Sequence, residues 1–159
     1  MVFQINIPEL SSNSQQAITL AKSKKLGEFK HGKVIYSNYE AFFLVETKKA
    51  QLIKNSKKTT FPKKNKEFVN NYLVYKNLRK KDLIPKTGLK FGAEFRVYEK
   101  NKPHAKYLTL ITTPNQKLNY KEFASKNRIA HSTAKKLLIA VIDSQQDITY
   151  YEVNWTKLK

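Results

Sequence analysis

No cysteine occurs in the chain, so neither a disulfide nor a thiolate-bound metal contributes to whatever it folds into. No apolar run approaches the eighteen residues of a membrane-spanning helix, and no secretory leader pattern is present. A soluble protein of the cytoplasm, with no membrane partner, is the expectation. Glycine is scarce, at four residues, and none of them builds a phosphate cradle. The segment GLKFG lacks the Gly-Lys-Ser/Thr ending of a P-loop and opens a strand rather than a helix. Histidine occurs only at positions 31, 104 and 131, with no HExxH spacing. The paired acids of metal-dependent nucleases are missing as well, so no metal and no cofactor is expected. There is no nucleophile-elbow motif. Acids are few, 12 against 31 Lys and Arg, and only Arg79, Arg96 and Arg128 of the bases are arginine.

What is present begins with charge. A net charge of +19 favours a polyanionic partner, because each neutralised phosphate releases condensed counterions. An apolar fraction of 40%, with nine Phe and nine Tyr, is enough for a packed core in a chain of 159 residues. Periodicity then divides the chain. VFQINI alternates as a strand ending at Pro8, and SSNSQQAITLAKSKKLG reads as a capped helix closing at Gly27. VIY after Gly32 reads as β, YEAFFLVE as a buried helix, and AQLI as a short strand. Thr47 to Lys66 holds eight lysines, no acid and Pro62, and shows no apolar period. It reads as a solvated loop or connection, the alternative being an arm that touches RNA. KEFVNNYLVYKNLRKK is an amphipathic helix with Phe68, Leu73, Tyr75 and Leu78 near one face. DLIPKTG reads as a turn. KFGAEFRVY alternates as a strand with Phe91, Ala93, Phe95 and Val97 on one side. HAKYLTLIT follows as its antiparallel neighbour, NYKEFASKNRIAHS as a helix, KKLLIAVID as an apolar strand and ITYYEVNW as the last strand. The fold class expected is α/β of the mixed α+β kind. Residues 1–66 would form a small N-terminal domain for structure and assembly, and residues 67–159 an αββαββ catalytic domain.

One acid–base set is available. His104 follows a proline at the mouth of a strand, and histidine is the general acid–base residue of neutral pH. Tyr98 ends the neighbouring strand across a short turn. Lys135 sits where AHS turns into KLLIAVID. Tyrosine, histidine and lysine together suit RNA cleavage by the substrate's own 2′-hydroxyl: one removes its proton, one protonates the leaving 5′-oxygen, and the cation holds charge on the phosphorane. The same residues read equally as a strand-end tyrosine, a turn histidine and one lysine among many. Spacing alone does not choose.

The run VYKNLRKKDLIPKTGLKFGAEFRVY, then HAKYL, NRIAHSTAKKLLIAVID and YYEVNW, resembles the archaeal tRNA-intron splicing endonucleases. The likeness covers Phe68 to Trp155 in order, and YEAFFL resembles that family's N-terminal domain more weakly. The resemblance implies a C-terminal domain with a restriction-endonuclease-like core, and a metal-independent cut of precursor tRNA in a bulge-helix-bulge. The products would be a 2′,3′-cyclic phosphate and a 5′-hydroxyl. It implies Tyr98, closing FRVY, as general base and His104, opening HAxYL, as general acid. Lys135, in HSTAK, would stabilise the transition state, with Lys136 the adjacent alternative. Ala134 stands where an arginine is common, so one local charge is missing. Arg128 and Trp155 match the pair that clamps a flipped bulge base, although Arg128 also reads as a helix end and Trp155 as core packing. Assembly into a tetramer, by self-association or with a paralogous subunit, would use the last strand, Ile148–Val153, and the Asp143–Asp147 loop. The alternative is a non-catalytic structural or RNA-binding subunit of such an assembly.

Overall fold

A computed structural model of the chain describes residues 2–158 and divides it into two compact units, parting between Asn65 and Lys66. The class is mixed α+β: among the described residues there are four α-helices and two sheets, each with one parallel pair.

The first unit is more regular than its sequence suggests. Strands β1 (Phe3–Asn6), β2 (Ser11–Ser12), β3 (Glu28–Lys30), β4 (Lys33–Ile35), β5 (Ala50–Lys54) and β6 (Lys57–Thr59) form one sheet, ordered β3-β4-β2-β1-β5-β6. Helices α1 (Gln15–Lys24) and α2 (Asn38–Glu46) join its strands. Each helix starts where the sequence can satisfy its free amides. Ser14 accepts from Ala17 N, and Ser37 forms a reciprocal capping box with Glu40. The Glu40 carboxylate also accepts from Gly27 N at 2.9 Å, so this buried acid ties α2 to the end of the α1 connection. Ile5, Leu26, Val34, Leu44 and Leu52 fill the core. The segment from Thr47 to Lys66, expected as a loop apart from the short strand at AQLI, contains that strand as β5 and pairs it in a hairpin with a second, β6. Its turn residues Asn55 and Ser56 both have positive φ, the geometry that matches strand twist in a two-residue hairpin. Sequence missed β6 because only the β5 side has apolar residues to alternate.

In the second unit α3 (Lys66–Lys80) precedes strands β7 (Ile84–Thr87), β8 (Phe95–Tyr98) and β9 (Tyr107–Thr112). Helix α4 (Tyr120–Ser132), β10 (Lys136–Ile142) and β11 (Ile148–Val153) follow. The sheet runs β11-β10-β9-β8-β7, with β9 and β10 parallel and α4 as the crossover that a parallel pair requires. Two expectations fail here. DLIPKTG is not only a turn: Ile84–Thr87 pairs with β8 as the sheet's edge strand, where Pro85 can lack an amide without breaking a ladder. KFGAEFRVY is not one strand: Leu89–Phe91 makes a 3₁₀ turn, and β8 begins only at Phe95. Gly88 permits this turn, since a Cβ there would lie 2.6 Å from the Ala93 carbonyl oxygen. That close approach folds the chain over before the strand starts.

The two helices cover opposite faces. Phe95 pairs with Thr109, whereas Leu108 is one residue away and so points to the other side. On the first face Tyr75 of α3 meets Phe95, ring centroids 5.9 Å apart, and the Tyr150 hydroxyl donates to Asn77 at 3.0 Å. On the second, Ala130, Phe123 and Ile129 of α4 pack on Leu108, Leu110 and Leu137, joined by Phe91 and Ala93. Phe91 and Ala93 therefore serve a different core from Phe95, against the expected common side. The inward stripe of α3 is Asn71, Val74, Tyr75 and Leu78, with Leu73 only half-buried.

Candidate active site

Three strand registers converge at one end of the second sheet. Val97 of β8 pairs with Tyr107 of β9, which pairs with Lys136 of β10. One residue outward along these three neighbouring strands lie Tyr98, Lys106 and Lys135. The Lys106 amide donates to the Val97 carbonyl at 2.8 Å, and the Lys136 amide donates to the Lys106 carbonyl at 2.9 Å. Topology thus brings Tyr98 and Lys135, 37 positions apart in sequence, to the same sheet end. His104 belongs to the loop between Tyr98 and Lys106, two residues before that register point, and its side chain is exposed.

The surroundings of each side chain have local causes. Tyr98 is half-buried, with the Arg96 guanidinium 5.8 Å from its ring centroid, as expected for residues i and i+2 on one strand face. Lys135 is set by the way α4 ends. Ala134 takes the left-handed conformation, φ +54°, and the Lys135 amide returns to the Ala130 carbonyl at 2.8 Å. Its ammonium donates to Thr133 O at 2.7 Å and sits 5.1 Å over the Phe91 ring. Lys136, the alternative to Lys135, is engaged elsewhere: its ammonium pairs with Glu152 at 2.5 Å. The His104 loop is drawn shut at its base by Lys106, which pairs with Glu99 at 2.6 Å. That hydrogen bond, with a second that Lys106 donates to the Tyr107 side chain, raises the Lys106 pKa above the ordinary lysine value.

The two clamp candidates lie beside α4. Arg128 is exposed on the helix, and Trp155 is 52% exposed after β11. The Trp155 ring does not enter the core; it stacks on His131, centroids 4.5 Å apart at 29°. His131 follows Arg128 by three positions, on the same helix face. Sequence reading did not single out this contact, and nothing in sequence marks it beyond that spacing. At the far end of the strands the Asp143 carboxylate is used within its own turn, accepting from the amides of Gln145 and Asp147, each at 2.9 Å. Strand β11 ends the sheet and leaves Tyr151 56% exposed. Among the described residues no three of His, Asp and Glu converge as a metal-binding group, and no helix is long and apolar enough to cross a membrane.

One end of this sheet thus gathers Tyr98, Lys135 and the exposed loop that carries His104. The chain belongs to the tRNA intron endonuclease family: residues 68–150 match its catalytic C-terminal domain. Similar proteins named tRNA-splicing endonuclease extend the match beyond that domain. One from Pyrococcus abyssi is 32% identical over 163 residues, spanning 98% of this chain and 96% of that protein. One from Methanothermobacter thermautotrophicus is 34% identical, spanning 88% and 94%. A third, from Nanoarchaeum equitans, is 35% identical over 135 residues, spanning 74% and 86%.

Proposed function

We propose that this chain is a catalytic subunit of a tRNA splicing endonuclease that cuts precursor tRNA at intron boundaries presented in a bulge-helix-bulge. The observation that supports this reading most is the register Val97–Tyr107–Lys136, which gives Tyr98 and Lys135 one sheet end and hangs His104 from the loop beside them. In the proposed reaction Tyr98 takes the proton from the 2′-hydroxyl, whose oxygen attacks the adjacent phosphorus. The bond to the 5′-oxygen breaks as His104 delivers a proton to it. Lys135 offsets the negative charge that grows on the phosphorane oxygens. The products are a 2′,3′-cyclic phosphate and a 5′-hydroxyl, and no metal ion takes part. Arg128 and Trp155 hold a splayed bulge base by stacking, which depends on RNA shape rather than sequence.

The catalytic role is assigned to residues 67–159 and an assembly role to residues 1–66. Association into a tetramer, of identical or paralogous subunits, uses the open edge of β11 and the Asp143–Asp147 turn. The test is cleavage of a bulged precursor transcript by purified protein in EDTA, with the ends mapped. Cuts at both boundaries ending in a cyclic phosphate are expected. Activity that disappears in EDTA and returns with a divalent cation contradicts the metal-free mechanism.

A further inference from the structure

The hairpins at the two edges of the N-terminal sheet are built alike and charged differently. Hairpin β3–β4 sets Lys30 opposite Lys33 across His31-Gly32, and β5–β6 sets Lys54 opposite Lys57 across Asn55-Ser56. Both turns hold two consecutive residues at positive φ. Like charges directly opposite one another destabilise a strand pair. The fold neutralises the first pair: Lys30 bonds Glu28 and Lys33 bonds Glu9, each at 2.7 Å. The second pair has no such relief. No acid occurs between Glu46 and Glu67, and among the described residues no carboxylate ion-pairs with Lys54, Lys57 or Lys58. Lysines on an outer strand are a known guard against edge-to-edge aggregation, which explains Lys57 and Lys58 on β6. That guard does not explain Lys54, which stands on the inner strand β5.

We infer that the tip of the β5–β6 hairpin is a binding site for the phosphodiester backbone of the substrate RNA, with Lys54, Lys57 and Lys58 as its contacts. The inference rests on the proposed RNA substrate and adds a site outside the catalytic domain. Pairing with phosphates is sequence-independent and removes the Lys54–Lys57 opposition that the free protein retains. Neighbouring strand residues point to opposite faces, so Lys54 and Lys57 share one side of the hairpin while Lys58 lies on the other. The tip can therefore straddle a single backbone.

The test compares K54Q/K57Q/K58Q with K30Q/K33Q, measuring the affinity of a bulged precursor transcript across a salt series. The triple variant should bind at least about tenfold more weakly at low salt, with the slope of log affinity on log salt shallower by roughly 2–3. Its single-turnover cleavage rate at saturating protein should match the parent's, and K30Q/K33Q should keep the parent's slope. An unchanged slope in the triple variant overturns the inference, as does an equal loss in both variants. Lost assembly mass with intact RNA binding overturns it too, and assigns the tip to an acidic protein surface. A parent that binds the transcript with a hairpin-dependent slope but never cuts it leaves this site standing and removes the catalytic reading instead.

Discussion

Trp155 is the only tryptophan in the chain, so its fluorescence reports on one contact, the ring of His131 at 4.5 Å. Replacing His131 with Ala should shift the emission to longer wavelength, as the indole loses one covered face. An unchanged spectrum contradicts the stack. Glu94 is the residue whose environment conflicts most with its charge. Burial raises its carboxyl above the ordinary carboxylate value despite the opposing charge of Lys126, and its Oε2 has no hydrogen-bond partner among the described residues. A raised pKa means the folded state holds the proton more tightly than the unfolded chain does. Stability is then greatest below the ordinary carboxylate pKa and is lost as pH rises through the raised folded value. Glu94→Gln should therefore raise Tm at pH 7 by about 3 °C, the shift that roughly 1 kcal/mol gives in a chain of this size. At pH 4 the gain should shrink. Equal gains at both pH values in thermal unfolding contradict a charged, buried Glu94.

At the scale of elements, the loop from Glu99 to Lys106 carries the proposed general acid, His104, and is held by its own local contacts. The Glu99–Lys106 pair closes it across seven positions, and the Lys102 amide donates to Glu99 O at 3.2 Å. The pair is half-exposed, with side chains 38% and 40% accessible, so solvent screening keeps its contribution to global stability small. Its effect is expected in the placement of His104: Glu99→Gln should lower the single-turnover cleavage rate several-fold and leave RNA affinity unchanged, and E99K/K106E should recover the rate. A double variant no better than the single one counts against the clasp. The elements that sequence made legible were those with a strong period or a clear stop, such as α3, α4 and the β10–β11 hairpin. Strand β7 was hidden because its Pro85 reads as a breaker, and only an edge position makes that residue tolerable. The turn before β8 was hidden because Phe91 and Ala93 alternate correctly while packing in another core. Alternation counts apolar residues without saying which helix receives them.

At the scale of the whole molecule, charge is shared between the units. Residues 1–65 carry twelve lysines against four glutamates, and residues 66–159 carry nineteen Lys and Arg against eight acids. A polyanion is thus favoured by both, not by the catalytic unit alone. The candidate site was legible in a different way from the fold. Tyr98 and His104 are close in sequence, but Lys135 joins them only through the parallel pairing of β9 and β10, which no local pattern encodes. The long family motif supplied it. The Glu99–Lys106 pair and the His131–Trp155 stack were not legible, since each depends on where a loop returns in space. The central claim is that the Tyr98–His104–Lys135 end cuts RNA by acid–base chemistry. Its most direct measurement is single-turnover cleavage of a bulged precursor tRNA by His104→Ala beside the parent, with RNA affinity measured in parallel. The account predicts a loss of cleavage of about a hundredfold or more with affinity within about twofold of the parent. Parental cleavage rates in that variant would contradict it.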